Sequence, residues 1–151
     1  MIRRLLVVFA VLAATVVLAS PASAAGAASS TQNFHGAFPP FHVDSTCGAP
    51  AGTITGTGNA VFHITVNAAG DVWITSTQEA WFTLTPDVGT VTYSGHFAVW
   101  FGTSINQNNS VLHDTINVRA IGSDGSTVTI NLVDHMSTSA SGQVNLFMAC
   151  H

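Results

Sequence analysis

The chain has 151 residues, of which 47% are hydrophobic and only 7% charged, with 3 basic against 7 acidic side chains and a formal net charge of −4. A nucleic-acid ligand is excluded, because binding it requires basic side chains to displace counterions. Attraction to anionic lipid fails for the same reason. The length suits one domain, and the apolar, patterned sequence is not that of a disordered acidic tail.

Two of the basic residues, Arg3 and Arg4, precede an apolar run from Leu5 to Ala19 and an Ala22-Ser23-Ala24 box. Charged start, apolar core and small-residue box together predict a secretory signal over residues 1–24. The apolar run is shorter than the ~18–20 residues a membrane span needs, so no span is expected after cleavage. Loss of the signal leaves Arg119 as the only basic side chain, and no lysine. The expected location is outside the cell, free or associated with the envelope. There the only two cysteines, Cys47 and Cys150, are expected to form a disulfide.

Residues 25–33, small and polar, read as a flexible leader to a single β domain over 34–151. Phe34–Val43 carries three phenylalanines and the pair Pro39-Pro40. Proline has no amide for a central ladder, so this stretch is predicted as an edge strand or as a strap over apolar surface. Alternation of apolar and polar residues then predicts strands over Thr53–Asn67, Asp71–Thr85 and Thr90–Phe101. Turns are expected at Asn67–Asp71, with Gly70 left-handed, and at Pro86–Gly89. Gly56 and Gly58 mark a bend.

A hairpin from Val111 to Met136 folds about Gly122–Ser126, and a last strand brings in Val144, Leu146, Met148 and Cys150. Short turns between long strands make an antiparallel up-and-down meander. One face is apolar and the other rich in Thr, Ser, Asn and His, so the sheet must bury its apolar face on itself. The predicted fold is all-β, a small closed barrel, with a two-layer sandwich as the alternative. A bond between Cys47 and Cys150 favours closure.

The runs Phe97-Ala98-Val99-Trp100-Phe101-Gly102 with Asn106-Gln107-Asn108, then Ile121-Gly122-Ser123-Asp124-Gly125-Ser126, then Ser137-Thr138-Ser139-Ala140-Ser141-Gly142 and the near-terminal Cys150 carry a resemblance. The chain resembles a family of short exported all-β proteins from actinobacteria. The resemblance implies export and an all-β fold, and it brings no catalytic residues with it.

If Ser123-Asp124-Gly125 is a three-residue loop, Ala120 faces Val128, Val118 faces Ile130 and Ile116 faces Leu132. The same register sets Asp114 against Asp134 on the core side, with Cβ atoms roughly 4.5–5.5 Å apart. Carboxylates that close repel when both ionise, and such pairs serve as acid and base in glycoside hydrolysis. Asp114 and Asp134 are therefore the candidate catalytic residues. Partly wet carboxylates bonded to backbone amides, Tyr93 or Ser76 are the competing account.

On the other face the register puts His113 opposite His135. If Phe101 faces Leu112, Trp100 lies beside His113. Two imidazoles are weak candidates for holding Zn²⁺ or Cu²⁺, because a site needs three or four ligands, and no cofactor is expected. Trp73, Trp81 and Trp100 share this polar face. They could stack on sugar rings or meet a protein, unless the phenylalanine-bearing strap covers them.

Trp73, Trp100 and Tyr93 are the candidate ligand-binding residues. The expected function is an exported, non-catalytic binding protein whose partner is an apolar small molecule, a glycan or another protein. The alternatives are an enzyme of hydrolase or cyclase type using the aspartate pair, and a structural envelope protein.

Overall fold

The computed structural model describes residues 26–151; the expected signal lies outside the described residues. Seven strands form one antiparallel sheet in chain order: β1 (Ala28–Val43), β2 (Gly52–Val66), β3 (Val72–Pro86), β4 (Tyr93–Ile105), β5 (Ser110–Gly122), β6 (Thr127–Thr138) and β7 (Val144–Cys150). No helix among the described residues is long and apolar enough to cross a membrane.

Local chemistry sets the turns. Gly70 (φ 85°), Gly125 (φ 84°) and Gly142 (φ 79°) take the left-handed positions of the β2–β3, β5–β6 and β6–β7 connections. Side chains reinforce them: the Asn67 Oδ1 accepts from the N–H groups of Ala69 and Asp71, and the Asp124 Oδ1 accepts from Ser126 N–H and Oγ–H. The two Ser126 bonds hold the Asp124 carboxyl below its usual pKa.

Alternation does the rest. Ala60, Ile74, Ala80, Phe82, Leu84, Val99, Ala120, Ile130 and Leu132 are buried on one face. That face curls on itself, since the Phe38 ring of β1 lies 6.3 Å from the Phe97 ring of β4. Gly56 and Gly95 permit the curl: a Cβ at either would run into the backbone of the neighbouring strand. At Pro39-Pro40 the β1–β2 register slips between Phe38 and Phe41, a bulge on an edge strand where the missing amides cost nothing.

Two expectations need correction. Residues 28–33 of the expected leader are strand, because Ala28–Asn33 pair with Val61–Val66 and supply the partner that the long β2 lacks. This also undoes the barrel. The sheet is open, and β1 and β7 share no ladder. In an up-and-down meander neighbouring strands run oppositely, so a first and a seventh strand are parallel and cannot close an antiparallel ring.

The disulfide does form: Cys47, between β1 and β2, is bonded to Cys150, with Cα atoms 5.7 Å apart. β7 is short and pairs with β6 only from Leu132↔Cys150 to Thr138↔Val144. The β1–β2 connection therefore crosses to the end of β7 and covers one half of the trough. We call this the tied half. The half containing the β2–β3, β4–β5 and β6–β7 turns is the open half.

Candidate functional site

In the tied half the strands enclose a cavity of about 140 Å³. Its walls include Phe41, Ile54, Phe82, Tyr93, Phe97 and Leu132, with Thr46, Ala49 and Pro50 of the β1–β2 connection along one side. The lining is almost wholly apolar. A site of this kind takes a ligand by dispersion and desolvation, with only a few polar groups to orient it. The residues of its wall that carry polar groups are Asp44, Thr46 and Tyr93.

The aspartates lie elsewhere. Asp114 pairs with Asp134 as the turn chemistry requires, and the same inner row runs through Phe101, Ser76 and Met148. The Oδ1 atoms of both aspartates are buried with no hydrogen-bond partner among the described residues. Burial, and then the Asp134 charge, pushes the Asp114 carboxyl up to about 6. Neither the expected Tyr93 nor Ser76 relieves them. Tyr93 pairs with Leu84 and Gly122 at the far end of the sheet, and the Ser76 hydroxyl accepts from Gln78 Nε2 at 3.1 Å. Neither aspartate borders the cavity.

No family model, curated protein or solved structure matches the chain. The site must be read from its own chemistry.

On the outer face His113 and His135 stand opposite each other with ring centroids 5.9 Å apart, and Trp100 meets His113 edge-on at 5.7 Å. Phe101 faces Asp114 rather than Leu112, so the expected β4–β5 register is two residues out, which leaves every side chain on its predicted face. Trp100 reaches His113 because its ring lies over Gly102, the residue directly opposite that histidine. Among the described residues no third His, Cys, Asp or Glu joins the two imidazoles.

The strap does not cover the tryptophans. Phe38 and Phe41 turn inward and pack on one another, and Phe38 also on Phe97, while Trp73, Trp81 and Trp100 stay exposed. The three indoles are not one platform. Trp100 sits opposite Thr77, four residues from both Trp73 and Trp81 on β3, about 13 Å along the strand in each direction. Tyr93 is on the opposite face, so the three candidate ligand-binding residues are not brought together. Sequence reasoning missed the cavity wall supplied by Thr46, Ala49 and Pro50. The available signal was the short reach from Pro39-Pro40 to Cys47, which ties that connection to β7.

Proposed function

We propose that this is an exported, non-catalytic binding protein that takes a small apolar molecule into the cavity of the tied half. The observation that carries the reading is the apolar cavity of about 140 Å³. Its volume is close to that of cavities, about 150 Å³, that hold benzene. Export agrees with the disulfide and with the N-terminal pattern of Arg3, Arg4 and the Ala22-Ser23-Ala24 box. Hydrolysis by Asp114 and Asp134 has less support, because the wall of the cavity contains neither residue. Sugar or protein binding at the exposed indoles would use the other face of the sheet.

The test is a thermal-shift and native mass-spectrometry titration with benzene, indole and short-chain alcohols. Saturable stabilisation by an apolar probe is expected, and Val128→Phe, which fills the cavity from its wall, should abolish it. Asp114→Asn should leave it intact. Absence of any saturable shift, or full binding by the Val128→Phe protein, refutes the reading.

A further inference from the structure

The open half has a vacancy of a different kind. Among the described residues neither edge of the sheet has a ladder partner there, and β1 and β7 run in the same direction with no ladder between them. The hydrogen bonds show which backbone groups are free. The His151 N–H donates to the Asn131 carbonyl and the Ser139 N–H to the Gln143 carbonyl, so odd-numbered residues of β7 face β6. Leu146 and Met148 therefore turn their N–H and C=O groups away from the sheet. On β1 the same alternation, set by the Asn67 N–H bond to Asp71, leaves Ser29, Thr31 and Asn33 with outward backbone groups.

The side chains match. Leu146, Met148 and Phe34 belong to the inner face, yet they are 42%, 51% and 40% exposed. Neither β1 nor β7 carries a single Lys, Arg, Asp or Glu, the residues that ordinarily protect an exposed edge. Pro39-Pro40 blunts only the tied half of β1. Met148 stands directly opposite Asp134, whose Oδ1, like that of Asp114, has no donor among the described residues. The only basic side chain among the described residues, Arg119, lies on the outer face opposite Thr129.

We propose that the open half binds an extended segment of another polypeptide as an eighth strand, antiparallel to both β1 and β7, with apolar side chains turned inward and one lysine or arginine directed at Asp134 and Asp114. An even number of strands lets the meander close, and eight is a number at which a barrel fills its own interior. The backbone edge supplies affinity and the inward positions supply specificity, the general logic of strand addition. A second copy of this chain fits less well. Its seven strands already stand in one ladder, and either of its edges could satisfy only one of the two bare edges here.

The probe is a synthetic peptide of alternating threonine and valine with a central lysine at one valine position, titrated into the full chain by fluorescence anisotropy, with amide exchange read by NMR. Saturable binding is expected, with slowed exchange at Leu146 and Met148. The lysine-to-glutamate peptide should bind at least tenfold more weakly, and a peptide N-methylated along one edge should not bind at all. Leu146→Pro removes an amide that no strand of the fold uses, and should weaken binding at least tenfold. The N-methylated peptide gives the same answer on the unaltered protein should that variant fail to fold. No binding at millimolar peptide, equal binding of the glutamate peptide, or slow exchange at Leu146 and Met148 before peptide is added would overturn the proposal. The last outcome would mean that a second copy or the chain's own N-terminal residues already cover the edge.

Discussion

The two halves of the sheet share strands, alternation and ladder, yet they end differently. In the tied half the inner face meets the β1–β2 connection, and Phe82, Leu84 and Ala120 are buried against Phe38, Ile54 and Phe97. In the open half, among the described residues, Leu146 and Met148 of β7 are left half-exposed although their phase is that of core residues. Periodicity fixes which way a side chain points. Whether anything awaits it there is a tertiary question. The disulfide answers it for one half only, because β7 stops at Cys150, opposite Leu132.

Breaking the tie is the severest test of this contrast. The Cys47–Cys150 bond spans 103 residues of sequence, and a loop of that size corresponds to about 4.7 kcal/mol in the chain-entropy view. A Cys47→Ser, Cys150→Ser double variant should lose roughly 4 kcal/mol in urea unfolding. Amide exchange should rise first in the β1–β2 connection. Equal stability of the two proteins would mean that the connection is held by packing alone.

Paired truncations come next in size. Phe82→Ala removes a buried ring from the tied half and should cost about 3–4 kcal/mol. Met148→Ala occupies the same face in the open half but is half-exposed, and should cost less than about 1 kcal/mol. If the two costs were equal, the open half would be covered in solution.

How much of this could be read in the chain depends on the turn chemistry. The Asp114–Asp134 and His113–His135 pairings were legible because Gly125 fixes a three-residue loop, and a fixed loop fixes the register. The β4–β5 register was not, because no glycine marks that loop. Instead the Asn106 side chain accepts from the N–H groups of Asn108 and Asn109, which lets β4 run on to Ile105. The first residues of β1 were illegible for another reason. Between Ala28 and Phe34 the inward positions are Ser30 and Gln32, so the stretch carries no period-two signal and was indistinguishable from a leader. The strand count turned instead on Phe34–Val43: read as a strap it leaves six strands, and as the edge strand it is it makes seven.

The aspartate pair gives the next, smaller effect. Asp114 holds its proton up to about pH 6 in the fold, against an ordinary value of 3.8. A carboxyl raised in this way stabilises the fold fully below pH ~3.8, and the contribution fades as pH rises through about 6. Stability should therefore fall with rising pH across that window. Asp114→Asn should flatten the slope and be the more stable protein at pH 7.5, on the order of 1 kcal/mol once screening by nearby water is allowed for. A wild-type profile flat between pH 4 and 7 in urea titrations would show that the pair is already satisfied.

The least costly change should be on the outer face. Trp81 is 69% exposed and touches His96 edge-on at 5.1 Å. Its partners across the ladder are Thr57, itself exposed, and half-buried His96. Trp81→Thr keeps strand propensity and removes a ring that water already surrounds, so unfolding should shift by no more than about 0.5 kcal/mol. Trp100→Thr should cost more, because that indole lies over Gly102 and shields a stretch of strand with no side chain of its own. The ordering is the measurement: a larger loss at Trp81 than at Trp100 would mean that some other part of the chain rests on Trp81.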